Sequence, residues 1–107
     1  MTKEDFLDEG NAALALGDLE EAILHYGKSV EMDPDYFDGW HALGMALMKV
    51  GRFAESINAA KRATELNPQD QMAWTSLSLA YVRNHQLEEA EAAGAKAKVI
   101  SWGGRLK

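Results

Sequence analysis

Cysteine is absent from the 107 residues, so neither a disulfide staple nor a thiolate site can form. Proline occurs only twice. Basic residues are outnumbered, 11 Lys and Arg against 17 Asp and Glu, for a formal charge of −6. A protein that tracks phosphates needs a basic face, so no nucleic-acid partner is expected. There is no basic amphipathic helix for an anionic membrane, and no run nears the roughly 20 apolar residues of a membrane span. The first residues, MTKEDFLDEG, are acidic and lack an apolar signal core, so a soluble cytoplasmic protein is expected.

Motifs that carry chemistry are also scarce. His25, His41 and His85 fall on different helices or turns, none with a second His or Cys at zinc-ligand spacing. His41 with Met45 and Met48 is the nearest approach to a soft-metal set, and it reads more simply as surface lining. Ser29, Ser56, Ser76 and Ser78 have no His and acid arranged nearby in sequence. Trp102-Gly103-Gly104-Arg105 precedes neither a helix nor a Lys-Ser/Thr pair, so it is not a phosphate loop. The expectation is a non-enzymatic chain with no cofactor and no metal.

What is present is repetition. Hydrophobic residues make up 47% and charged residues 26%, the mix of one ordinary globular domain. The two prolines, Pro34 and Pro68, stand 34 residues apart. The same step joins Trp40 to Trp74, Leu43 to Leu77 and Leu66 to Ile100, and reaches back to Phe6 and Gly10. Such a period marks a repeat architecture. Each unit reads as two helices: 4–16 and 19–32, then 37–50 and 53–66, then 71–83 and 87–100. Gly17-Asp18, Gly51-Arg52 and Asn84-His85-Gln86 part them, with Asn84 expected to take the left-handed conformation. Asp18 and Glu21 have capping-box spacing. Asp-Pro at 33–34 and Asn-Pro at 67–68 stop the second helices. Glu20, Glu21, Glu88, Glu89 and Glu91 open second helices, where they favour the helix dipole. The fold class is all-α, one domain over 1–107, with units of about 3–36, 37–70 and 71–104.

These residues resemble the tetratricopeptide repeat, whose pattern is W-x2-L-G-x2-Y, then A-x3-F, then P. The middle unit supplies Trp40, Leu43, Gly44 and Leu47, then Ser56, Ala60 and Pro68. The first supplies Phe6, Gly10, Ala13, Ala22, Tyr26 and Pro34, with Glu9 at the leucine place. The third supplies Trp74, Leu77, Ser78, Tyr81, Ala90 and Gly94, with Trp102 where a proline would close the unit. The resemblance implies a right-handed superhelical solenoid of three antiparallel helix pairs. Small residues (Gly10, Ala22, Gly44, Ser78) would let paired helices approach. Trp40, Trp74, Tyr26 and Tyr81 would fill the space between units.

WHALGMALMKVG, residues 40–51, carries two stripes when wound as a helix at about 100° per residue. Trp40, Leu43, Gly44 and Leu47 form one, and His41, Met45 and Met48 the other. In the family, first helices line a concave surface, and the second stripe falls there. The implied groove is Leu7, Asn11, Leu14, His41, Met45, Met48, Met72, Thr75, Leu79 and Val82, edged by Glu4, Ala15, Asp38, Lys49 and Arg83. So apolar a lining suits a protein partner offering an apolar or amphipathic peptide or helix, and methionine suits a surface that adapts. The family's carboxylate clamp needs two Lys, an Arg and two Asn. Those places read Leu7, Asn11, Ala42, Met72 and Ser76, so a chaperone C-terminal tail is not the expected partner. The alternative reading is a self-assembly module, a homodimer through the groove or the uncapped last helix. Ala93, Ala97, Ile100 and Trp102 are its candidate contacts. Three coverings of that helix stay open: Trp102 folding back through Gly103-Gly104, two chains pairing, or a longer natural chain. Pairing is favoured, because alanine-rich helices pack closely.

Overall fold

The left-handed turns set the rhythm of the structure, a computed structural model that describes residues 1–106. Gly17, Gly51 and His85 have φ of 80°, 83° and 59° and stand one repeat apart. Each closes a first helix in the same way: Gly51 N–H donates to Met48 O and Arg52 N–H to Leu47 O, with equivalent pairs after Gly17 and His85. Between these turns run α1 (Lys3–Ala15), α2 (Leu19–Met32), α3 (Phe37–Lys49), α4 (Phe53–Leu66), α5 (Gln71–Arg83) and α6 (Leu87–Ser101). All six start and stop within one residue of the bounds read from the sequence, and the described residues contain no strand.

The expected left-handed Asn84 is corrected by one position. Asn84 caps α5 at φ −95°, and its side-chain amide donates to Gln86 Oε1. His85 takes the glycine place because the 34-residue step from Gly51 lands there. A side chain in this conformation costs on the order of 1 kcal/mol. His85→Gly is therefore expected to raise stability by about 0.5–1 kcal/mol, read as a higher urea midpoint at unchanged slope.

Asp18 makes only half a capping box. Its carboxylate accepts from Glu21 N–H at 3.2 Å. Its own N–H already closes α1 on Ala13 O, and Glu21 instead lies 3.3 Å from His25 Nε2. The complete box is at the chain start, where Thr2 and Asp5 satisfy each other. At the places equivalent to Asp18 and Glu21, Arg52 forks onto Glu55 at 2.9 and 2.7 Å and Gln86 donates to Glu89.

Within each pair the helices cross at small residues, and each unit solves the crossing differently. In the second, Ser56 Oγ on α4 donates to Gly44 O at 2.8 Å. In the third the hydroxyl has changed sides, and Ser78 Oγ on α5 donates to Ala90 O at 2.7 Å. In the first, the Tyr26 ring fills the space that a Cβ on Gly10 would occupy.

Each helix packs on its neighbours in the chain, making an all-α helical-repeat solenoid of 37 × 26 × 20 Å. Two buried clusters hold it. Ala22, Tyr26 and Ala46 join the first unit to the second, and Ile57, Ala60, Leu77, Ala80 and Ala93 join the second to the third. Trp40 and Trp74 are half-buried. Their indole N–H groups donate to Pro34 O and Pro68 O at 2.7 and 2.8 Å, so each tryptophan also pins the turn before its own helix.

The chain end departs from one expected covering. Trp102 is 79% exposed and does not fold back over α6. Gly103 at φ 82° ends α6, and the tail returns to the α4–α5 turn, where Leu106 exchanges two hydrogen bonds with the Gln69 amide. No described helix is long and apolar enough to cross a membrane.

Candidate peptide-binding groove

The solenoid curves toward its first helices. α1 touches α3 and α3 touches α5, whereas no such contact links α2 to α4 or α4 to α6 among the described residues. The inner surface therefore belongs to α1, α3 and α5. Their groove positions repeat with the 34-residue step, giving rows Leu7–His41–Thr75, Asn11–Met45–Leu79 and Leu14–Met48–Val82.

The rows divide into a packed floor and an open wall. Leu7 and Leu14 are half-buried against the cluster around Tyr26, and Met48 against the cluster around Leu77. His41 is half-buried and stacks on Phe37, centroids 5.7 Å apart. Met45, Leu79, Val82 and Met72 are 37%, 41%, 45% and 63% exposed. The open apolar surface thus lies on α3 and α5, while the α1 leucines serve largely as floor. Thr75 is exposed and donates to Gln71 O. Asn11 is exposed and accepts the Tyr26 hydroxyl at 2.7 Å. Burial pushes the Tyr26 phenol above its usual range, which keeps that hydroxyl a donor.

Charge edges the apolar wall with opposite signs. Glu4 and Asp38 begin α1 and α3 on one side, and Lys49 and Arg83 end α3 and α5 on the other. The acids act on Tyr36: burial raises its phenol first, and Asp38 and Glu4 raise it further against Lys3. Lys3 in turn is paired to Asp33, and this contact holds the Asp33 carboxyl below its usual range.

The candidate contacts on α6 are corrected in part. Ala93 and Ala97 are buried at 4% and 7% within this chain's own packing, and Ile100 is half-buried. They point at α6's own neighbours, because they lie on its core stripe. Only Trp102 of that set is open.

Residues 41–105 match a family profile described as tetratricopeptide repeat, and residues 10–51 match a second described as TPR repeat. Over 40 residues the chain is 38% identical to a protein of Methanocaldococcus jannaschii described as uncharacterized, covering 37% of this chain and 46% of that one. Its fold is similar to the crystal structure of MamA, with TM-score 0.90, 22% identity and coverage of 95% of this chain and 60% of MamA. It is also similar to the second TPR of Spaghetti bound to an HSP90 peptide, with TM-score 0.88, 20% identity and coverage of 94% and 93%. The TPR2B domain of yeast Sti1, complexed with pHsp70, gives TM-score 0.89 at 21% identity, covering 94% and 81%. The chain thus spans less than half of the M. jannaschii protein and about 60% of MamA.

Proposed function

We propose, from the premise that this chain belongs to the tetratricopeptide-repeat family, that it is a protein-interaction scaffold whose groove takes the apolar face of a peptide or helix. The observation that carries this reading is the open wall of Met45, Met72, Leu79 and Val82. An apolar patch with charged edges is the usual form of a helix-receiving groove. The Spaghetti and Sti1 domains, complexed with an HSP90 peptide and pHsp70, support peptide binding as the use of this fold.

The residues argue for a partner chemistry different from an acidic chaperone tail. Leu7, Ala42 and Met72 stand where the clamp needs cations or amides, and Asn11 is already engaged by Tyr26. The edges favour a partner with basic residues toward Glu4 and Asp38 and acidic ones toward Lys49 and Arg83.

A peptide selected by display on the folded chain provides the test, read by fluorescence anisotropy. Met45→Glu and Leu79→Glu are each expected to weaken binding about tenfold or more, because each sets a charge into the apolar wall. The far-UV spectrum should not change, since both side chains are open to solvent. Undiminished affinity in both folded variants would overturn the groove as the binding surface. The peptide SRMEEVD is expected not to bind.

A further inference from the structure

The outer face of α6 carries a second surface, which borders the groove wall at Val82. Each inner repeat covers the outer face of its second helix with the next first helix. Ile57, Ala60 and Thr64 of α4 are buried at 7%, 5% and 5% in this way. One repeat later those places are Glu91, Gly94 and Lys98. Glu91 and Lys98 are exposed, Gly94 is half-buried beside Ser78 of α5, and with Leu87 and Val82 they line an open cleft beside α5.

The order of residues along that face has a symmetry of its own. Leu87, Glu91, Gly94, Ala95, Lys98 and Trp102 fall within an arc of about 100° at helical spacing. Read from either end, the stripe runs large apolar, charged, small, small, charged, large apolar. Its centre lies between Gly94 and Ala95. An antiparallel copy placed on a two-fold axis there would set Leu87 against Trp102 and Glu91 against Lys98, each pair twice, over about 22 Å of helix. The small pair at the centre allows close approach. Leu87 and Trp102 are 63% and 79% exposed, large apolar side chains mostly open to solvent. Neither Glu91 nor Lys98 has an ion-pair partner among the described residues.

We infer that this face of α6 is an isologous interface, and that its occupant is α6 of a second copy of the chain. A C2 contact needs a surface complementary to itself. This stripe meets that condition in charge, size and register, whereas a heterologous partner would have no need of the mirrored order. The inference does not rest on the groove reading, because all six stripe residues lie on or directly after α6, although Val82 of the groove wall also borders this cleft.

The test is solution mass by light scattering over a concentration series, with charge reversals. The wild-type mass is expected to rise from 11.8 kDa toward twice that value. Glu91→Lys and Lys98→Glu each set like charges opposite one another, twice per dimer, and should raise the dimer dissociation constant about tenfold or more. The double reversal E91K/K98E restores opposite signs and should restore the dimer. Ala95→Cys, the sole thiol in a cysteine-free chain, should cross-link across the axis under mild oxidation. Met45→Glu and Leu79→Glu should leave the mass series unchanged, which separates this interface from the groove. A constant monomer mass overturns the inference. So does a dimer indifferent to the single reversals, or a double reversal no better than either.

Discussion

Tyr26→Ala is expected to lower the unfolding free energy by about 3–5 kcal/mol, the cost of emptying a large aromatic site. Tyr26 is the largest fully buried side chain, at 1% exposure, and joins Ala22 to Ala46 across the first two units. Total stability for such a domain is about 5–15 kcal/mol, so one such loss is a large share of it. Tyr26→Phe separates ring from hydroxyl. It should cost only about 1 kcal/mol, because Asn11 is exposed and water can replace the lost donor.

The same ring explains Gly10. An added Cβ there would meet Tyr26 Cδ1 at 2.5 Å, and the ring, hemmed in and hydrogen-bonded, cannot yield. Gly10→Ala in the wild-type background is expected to cost about 1–3 kcal/mol. In the Tyr26→Ala background the obstacle is gone and only the helix preference of alanine remains, worth up to about 1 kcal/mol in the other direction. The sign of Gly10→Ala should therefore reverse between backgrounds, measured as a double-mutant cycle by urea denaturation. Equal costs in both backgrounds would mean that the close approach to Tyr26 is not what selects glycine.

Much of this architecture can be read before any coordinates, for physical reasons that also mark where the reading stops. Helix bounds follow from punctuation that acts locally: Gly17 and Gly51 close helices through their own backbone, and Pro34 and Pro68 bar continuation through theirs. The same logic misplaces the left-handed residue to Asn84, because asparagine is the better-known occupant. The position is set instead by where α5 ends, and His85 must bear it. The Thr2–Asp5 capping box lies ahead of the first repeat marker, where the 34-residue period gives no guide.

Contacts that depend on helix crossing leave no such trace. Ser56 and Ser78 make equivalent bridges from opposite helices. Only the crossing geometry reveals that they are one feature. For the groove, the repeat step places all ten candidates on three inner helices, yet it does not say which of them pack downward. Leu7, Leu14 and Met48 do, and Met45, Met72, Leu79 and Val82 do not. On α6, composition suggests alanines as contact surface. Burial shows that Ala93 and Ala97 serve the core, and that the open stripe is the charged one beside them.

Leu77→Ala is expected to cost about 2–5 kcal/mol, toward the upper part of that range. Leu77 is 4% exposed and bridges three helices at once, touching the cluster of Ile57 and Ala60 from α4, Ala80 from α5 and Ala93 from α6. Collapse around a deleted leucine requires neighbours that can swing inward, and three of these are alanines with no side-chain torsion to use. Met48, Trp74 and Tyr81 pack at the edge of the cluster, and of these the unbranched Met48 adapts most readily. The lost contacts belong both to the pairing of α5 with α6 and to the stacking of the third unit on the second. In a linear array each unit is held only by its neighbours. The third unit has one neighbour within the chain, so the variant should loosen it selectively. Native-state hydrogen exchange resolves this: amides of α5 and α6 should exchange much faster in Leu77→Ala, while those of α1 and α2 keep most of their protection. Uniform acceleration across all six helices would show one cooperative unit instead. The stacking contact would then be only part of a shared core, and Leu77 would matter for its volume alone.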